Sequence, residues 1–258
     1  MRVFPPERIV CLTAETVEVL YLLGEEARII GVTGFATRPA RVRREKPRVS
    51  GFSSADISAI TALEPDLVLS FCDIQADITA ALLREGVAVM AFNQQDLRGI
   101  LAMIRHVGAL VGCPGRADDL ARGYEARLAE VAARAEGRAR PLVYFEEWDD
   151  PMITAVRWVS ELIGIAGGRE AFPDLVTRGK AMERVVTPEQ VAAARPDVIL
   201  GSWCGKKLRP ERMAARPGWD TIPAVRNGRI HEISSSLILQ PGPAALTDGL
   251  DAIIEALG

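Results

Sequence analysis

Two stretches of this 258-residue sequence decide its fold: DISAITALEPDLVL at residues 56–69 and TPEQVAAARPDVIL at residues 187–200. Each pattern predicts a helix, then a Pro-Asp turn, then a short buried strand. Thr187, Pro188 and Gln190 begin the second helix with a capping box and a proline at the first helical position. The same order of parts in both halves indicates a repeated α/β unit.

Short apolar runs alternate with amphipathic stretches along the chain, which predicts parallel sheets with helices on both faces. From Pro114 to Glu136 the pattern is one long helix, with oppositely charged side chains four residues apart. We therefore predict an α/β protein with two Rossmann-like lobes, residues 1–113 and 138–258, joined by a helix over 114–137, with the ligand cleft between the lobes. The predicted strands are Arg8–Leu12, Arg28–Val32, Asp66–Phe71, Val87–Phe92, Leu142–Phe145, Val198–Ser202 and Arg229–Ile233.

The composition excludes two broad classes of partner. Lys and Arg number 31 against 34 Asp and Glu, so the net charge of -3 leaves no excess of basic residues for nucleic acid. The sequence also lacks an apolar run long enough to span a bilayer, so we predict no membrane insertion.

The N-terminal sequence MRVFPPERIVCLT does not have the uninterrupted apolar stretch of a secretory signal, because Pro5, Pro6, Glu7 and Arg8 break it. We therefore expect a cytoplasmic protein; the alternative is a periplasmic protein whose true start lies upstream of Met1. The four cysteines are widely spaced and include no Cys-x-x-Cys pair, which favours free thiols.

Ligands of open α/β sheets bind beyond the carboxyl ends of the strands, so the loops after the predicted strands are the candidate site. The loops Glu146–Pro151 and Ser202–Lys207 stand out, because each places a tryptophan among charged side chains, which suits a large ring-bearing ligand. The alternative for both indoles is packing inside a lobe. The candidate ligand-binding residues are Glu15, Phe35, Phe71, Cys72, Asp73, Glu147, Trp148, Asp150, Trp203, Cys204, Lys206 and Gln240.

Cys72 and Cys204 follow strands at equivalent places in the two halves, so they are candidates for a soft-metal or redox pair; the alternative is that both are small packing residues. The sequence shows no nucleophile elbow, phosphate-binding loop or dinucleotide fingerprint. We therefore assign no catalytic residue and expect no required cofactor.

The segments RIVCLTAETVEVLYLLG, SAITALEPDLVLSF, EEWDDP and RPDVILGSW resemble the class III solute-binding proteins of ABC importers, whose ligands are cobalamin, haem and ferric siderophores. A cobalamin-binding-like subgroup is marked by an E-W-x-D-P loop, here Glu147, Trp148, Asp150 and Pro151, and by a GSWCGKK loop at 201–207. The resemblance implies a corrinoid or other metal chelate as ligand.

Trp148 and Trp203 of one lobe, and Phe35 and Phe71 of the other, lie at or after the predicted strand ends, so we expect all four to face the ligand. The resemblance also implies an ABC permease as partner, but a chain without an export signal would not meet one, so we do not expect that partner. The alternative function is a cytoplasmic metal-handling protein or enzyme on the same scaffold, using Cys72, Cys204 and the carboxylates at 146–150.

Overall fold

A computed structural model describes residues 4–258. The chain divides within one long helix into two compact lobes, an N-terminal lobe that ends at Gly123 and a C-terminal lobe that begins at Tyr124. Each lobe has its own five-stranded sheet. The predicted α/β fold with two lobes is therefore confirmed, whereas the predicted boundaries at residues 113 and 138 stay a prediction.

The N-terminal sheet is parallel throughout, with the strand order β3-β2-β1-β4-β5. Its central strands are nearly continuous apolar runs, as in sheets that are covered on both faces. Ile9, Val10 and Cys11 of β1 have no exposed surface. β3 was not predicted, because it is three residues long and begins with the exposed Arg48. The strands are β1 Ile9–Cys11, β2 Ile29–Thr33, β3 Arg48–Ser50, β4 Leu67–Phe71 and β5 Val89–Phe92.

Helices cover this sheet through their apolar sides. In α5, for example, Ile100, Ile104 and Val107 recur at helical spacing and are fully buried. The helices are α1 Ala14–Leu22, α2 Val42–Glu45, α3 Ile57–Ala62, α4 Ala76–Arg84, α5 Leu97–Leu110 and the long α6 Pro114–Ala135, in which the two lobes meet along the chain. No helix within residues 4–258 is both long and apolar enough to cross a membrane.

The C-terminal sheet has the order β10-β9-β6-β7, and β8 also pairs with β6. The pairs of β6 with β9, of β6 with β8 and of β9 with β10 are parallel, as predicted. β7 is an unpredicted addition that runs antiparallel to β6, because the chain reverses at Asp150 and Pro151. Residues 146–149, predicted as a loop, consequently form the second half of β6. The strands are β6 Leu142–Asp149, β7 Met152–Thr154, β8 Arg169–Glu170, β9 Val198–Gly201 and β10 Ile230–Glu232.

The capping box predicted for the repeated unit is present. The Thr187 hydroxyl accepts from the backbone N–H of Gln190, and the Gln190 side-chain oxygen accepts from the backbone N–H of Thr187. This helix, α8, leads directly to β9, as the repeated sequence predicts. The helices of the C-terminal lobe are α7 Arg157–Ile165, α8 Pro188–Ala194, α9 Pro210–Ala214, α10 Pro223–Arg226, α11 Ser235–Ile238 and α12 Leu250–Leu257.

Candidate ligand-binding site

One buried side chain forms hydrogen bonds to several loops at the carboxyl edge of the N-terminal sheet. Gln75 is 1% exposed and makes three hydrogen bonds to the backbone. Its amide nitrogen donates to the carbonyl oxygens of Leu12 (3.1 Å) and Phe52 (2.8 Å), and its amide oxygen accepts from the Phe71 amide (3.1 Å). These partners follow β1, follow β3 and end β4, so Gln75 fixes three strand ends relative to one another.

Three exposed apolar side chains follow the strands of this sheet. Phe35 follows β2, Phe52 follows β3 and Ile74 follows β4, with exposed fractions of 42%, 40% and 53%. We call these residues the apolar set. Only Phe35 was among the predicted site residues; Phe52 was missed because β3 was not predicted. Phe71, which was expected to face a ligand, is instead 7% exposed and belongs to the core.

Glu15 lies in the first turn of α1 and is buried. Burying a charged carboxylate costs free energy unless the charge is paired. Burial raises the pKa of its carboxyl to about 7, against hydrogen bonds that act in the opposite direction. Its Oε1 atom has no hydrogen-bond partner within the described residues. Glu15 is therefore a buried acid that titrates near neutral pH, rather than an open ligand contact.

Cys72 has an unusual backbone conformation immediately after β4, with φ of 51° and ψ of -179°. L-residues rarely adopt this conformation, and such residues cluster at functional sites. Its side chain is half-buried, and burial raises the pKa of the thiol. Asp73, the next residue, is exposed and begins a 3-10 turn that ends at Gln75.

A buried ion pair organises the carboxyl edge of the C-terminal sheet. Glu146 on β6 has no exposed surface and accepts two hydrogen bonds from the guanidinium of Arg216, at 2.5 and 2.8 Å. It also accepts from the hydroxyl of Tyr144 at 3.0 Å and from the indole N–H of Trp203 at 3.2 Å. The carboxylate is thus satisfied by four donors, which is what a buried charge requires.

The indole of Trp203 is consequently anchored rather than mobile. It is 8% exposed and belongs to an apolar cluster with Tyr144 and Trp219, against which Trp148 also packs. The indole N–H of Trp148 donates to the carbonyl oxygen of Asp150 at 2.9 Å. Both predicted indoles therefore lie close together in this lobe, but Trp203 is more deeply packed than a freely projecting side chain would be.

The side chain of Lys206 lies against both of these indoles. Its Nζ atom lies 4.4 Å from the ring centroid of Trp148 and 5.2 Å from that of Trp203, within the range of cation–π attraction. The same atom is 2.5 Å from Oδ1 of Asp149. Lys206 is therefore neutralised by a carboxylate and placed against aromatic rings.

Beside this group lies a groove of about 460 Å³ at the carboxyl ends of β9 and β10. Trp203 and Ile233 provide its apolar surface, and the hydroxyls of Ser234 and Ser235 border it. Gln240, another predicted site residue, is separated from β10 by the short helix α11 and is half-buried.

The remaining predicted residues of this lobe have separate surroundings. Glu147 forms an ion pair with Arg184 at 2.7 Å, and Arg184 is only 2% exposed. Asp150 is exposed in the turn before β7. Cys204 is exposed, yet its partial burial and the nearby Glu147 raise the pKa of its thiol.

A resident metal is not supported by these side chains. Within residues 4–258, no three His, Cys, Asp or Glu side chains are grouped as a metal site requires. All four cysteines are free thiols, and the raised pKa values of Cys72 and Cys204 disfavour the thiolate that binds soft metals. Cys72 and Cys204 belong to different lobes, and their pairing stays a prediction.

The sequence profile of the family described as periplasmic binding protein matches residues 9–237. The chain belongs to the periplasmic binding protein family. This finding confirms the family that the sequence motifs indicated, and it makes the chain a binding protein for a small ligand.

Several known proteins match nearly the whole chain. A vitamin B12-binding protein of Vibrio parahaemolyticus is 26% identical over 97% of this chain and 88% of its own. An uncharacterized ABC transporter substrate-binding lipoprotein of Bacillus subtilis is 24% identical over 98% of this chain and 80% of its own. The solved structure of the periplasmic heme-binding protein RhuT from Roseiflexus is 28% identical, covers 98% of this chain and 99% of its own, and superposes with a TM-score of 0.78.

Proposed function

We propose that this chain is a receptor for a ring-shaped metal chelate, with a cobalamin-like corrinoid as the ligand. The observation that carries the proposal is the pair of indoles, Trp148 and Trp203, at the carboxyl edge of the C-terminal sheet. Flat aromatic side chains supply a large contact area with few rotatable bonds, which suits a broad ring. The relatives named vitamin B12-binding proteins support the same ligand.

The apolar set of the N-terminal lobe supports the proposal independently. Phe35, Phe52 and Ile74 are all exposed beyond strand ends, where ligands of open α/β sheets bind. Burying such side chains against a ligand contributes on the order of 1–3 kcal/mol each. Micromolar affinity needs about 8 kcal/mol net, so a few such contacts suffice if little ordering is required.

A corrinoid is favoured over haem by the side chains at the strand ends. Haem iron in many proteins is held by an axial histidine or tyrosine, and in others by a cysteine thiolate. Among the described residues, the loops that follow the strands contain neither histidine nor tyrosine; His231 lies within β10. The cysteines there have raised thiol pKa values, which disfavours thiolate ligation.

The transport role and the location are part of the proposal. The Bacillus subtilis relative is named an ABC transporter substrate-binding lipoprotein, which supports delivery to a permease. The alternative location is the cytoplasm, where the chain would meet no such permease. Cell fractionation of the native host, with the chain detected by mass spectrometry, distinguishes the two.

The binding test is calorimetric titration with cobalamin, cobinamide and hemin, checked by native mass spectrometry of the purified chain. We expect corrinoid binding at micromolar concentration, and at least tenfold weaker binding after Trp148→Ala. In the N-terminal lobe, Ile74→Ala should weaken binding, whereas Leu83→Ala on α4 should not, although the two side chains are equally exposed at 53% and 55%. Absence of corrinoid binding at about 100 µM would contradict the proposal. An equal loss of affinity in Ile74→Ala and Leu83→Ala would also contradict it.

A further inference from the structure

The contacts of Lys206 form a complete site for an organic cation. Its ammonium lies against two indole rings, at 4.4 and 5.2 Å from their centroids, and 2.5 Å from a carboxylate oxygen of Asp149. Aromatic rings combined with a negative charge are the arrangement by which proteins bind quaternary ammonium groups. We call Trp148, Trp203 and Asp149 the cation cage.

The walls of the cage are held in place without Lys206. The Trp203 indole is fixed by its hydrogen bond to Glu146, and the orientation of Glu146 is fixed in turn by the two hydrogen bonds from Arg216. The Trp148 indole is fixed by its hydrogen bond to the Asp150 carbonyl oxygen. Removing the lysine side chain therefore leaves a preformed site rather than a collapsed one.

Lys206 is an exchangeable occupant by its position. It lies in the loop between β9 and α9, next to Gly205, whose φ of 77° allows the chain to turn there. Its side chain is 43% exposed, so the ammonium can leave the cage for water without passing through the core. The adjacent Lys207 makes no ion pair or ring contact within the described residues, so the cage holds one of two neighbouring lysines.

We propose that the cation cage is a binding site for an ammonium group carried by a ligand, and that Lys206 fills this site until the ligand replaces it. The proposal does not rest on corrinoid binding, since it uses only the contacts made to a cation. It implies that Lys206 weakens the binding of external cations by competing with them, as any internal occupant must.

The test uses tetramethylammonium as the probe, with Lys206→Ala and the neighbouring Lys207→Ala as the matched control. Tryptophan fluorescence and isothermal calorimetry measure binding. We expect Lys206→Ala to bind tetramethylammonium at least tenfold more tightly than the unmodified chain, and Lys207→Ala to bind like the unmodified chain. The further change Asp149→Asn in the Lys206→Ala background should abolish the gain, because the carboxylate is lost. Equal affinity of Lys206→Ala and the unmodified chain, or no effect of Asp149→Asn, would overturn the proposal.

A second measurement on the unmodified chain does not depend on any variant folding correctly. Lysine acetylation by acetic anhydride, followed by peptide mass spectrometry, reports how accessible each ammonium is. Saturating tetramethylammonium should raise the acetylation rate of Lys206 at least threefold and leave that of Lys207 unchanged. An unchanged rate at Lys206 would show that no replacement takes place. Because neither measurement contains a corrinoid, failure of the proposed receptor function leaves both results interpretable.

Discussion

Replacing Glu146 with glutamine tests the buried ion pair on which the C-terminal site depends. The glutamine side chain keeps the shape but removes the charge, and one of its polar groups becomes a donor that faces the donors of Arg216. Breaking a buried ion pair on one side costs about 3–5 kcal/mol, because the other charge is left without its partner. Since Glu146 has no exposed surface and accepts four hydrogen bonds, we expect a loss in this range.

The assay is urea unfolding followed by tryptophan fluorescence. All four tryptophans, at positions 148, 158, 203 and 219, lie in the C-terminal lobe, so this signal reports on the lobe that contains Glu146. The control is Glu130→Gln on α6, where the pair with Arg134 is 60% and 74% exposed. An exposed pair contributes little, so this variant should unfold at the same urea concentration as the unmodified chain.

A double replacement separates charge from anchoring. Glu146→Leu together with Arg216→Met removes both charges and should recover much of the stability lost in the single variant. It still leaves the Trp203 indole N–H without its acceptor, so we expect Trp203 to become more mobile and ligand binding to weaken. If Glu146→Gln loses less than about 1 kcal/mol, or if the double variant is less stable than the single one, then the ion pair is not desolvated as described.

Three further predictions concern individual side chains. Glu15→Gln should stabilise the N-terminal lobe at pH 8 but not at pH 4. The pKa of Glu15 is about 7 in the folded state and 4.5 ordinarily, so ionisation of this carboxyl destabilises the folded state. This destabilisation is absent below pH 4.5, grows as the pH rises from 4.5 to 7, and reaches about 3 kcal/mol above pH 7. Thermal unfolding by circular dichroism across this range measures it, and equal stabilisation at both pH values would refute it. Gln75→Ala removes three hydrogen bonds from strand-end loops, so we expect faster proteolysis of these loops and a loss of about 1–3 kcal/mol in the free energy of unfolding. The control is Gln95→Ala, whose side-chain bond among the described residues is to the nearby Asn93. A maleimide reagent should label the exposed Cys204 first, then Cys72, and the buried Cys11 last, with rates that rise above pH 8 because burial raises the thiol pKa values; prompt labelling of Cys11 would contradict the core described.

The periodicity of apolar residues in the sequence was sufficient to predict the repeated core elements of both lobes. Strands β1, β4 and β9 are buried on both faces, so their sequences are nearly continuous apolar runs, which are easily recognised. β3 and β7 are three residues long, and the sequence PRVSGF around β3 contains only one buried apolar residue. Because β3 was missed, Phe52 was not recognised as a strand-end residue, although Gly51 directly before it is a turn signal.

The buried carboxylate was outside the reach of sequence reasoning. Glu146 stands among Glu147, Asp149 and Asp150, and such a charged run normally indicates a solvated loop. Its burial is made favourable by Arg216, which is 70 residues later in the chain and lies in no recognised motif. Only the tertiary structure brings Glu146 and Arg216 together. The sequence therefore could not show that Trp203 is anchored by its hydrogen bond to Glu146.

The two lobes are expected to contribute differently to ligand recognition. The apolar set of the N-terminal lobe offers contacts that depend on area and little on direction, so changes at Phe35, Phe52 or Ile74 should alter the affinity for all ring-bearing ligands by similar factors. The C-terminal lobe offers directed groups: indoles held at fixed angles, the ammonium of Lys206 and the carboxylate of Asp149. Changes to these groups should alter which ligand is preferred, because an unmatched polar group at a binding surface costs more than a lost apolar contact. The ratio of cobalamin to cobinamide affinity should therefore shift in Asp149→Asn and stay constant in Ile74→Ala, and a shift in Ile74→Ala alone would reverse the assignment of specificity to the C-terminal lobe.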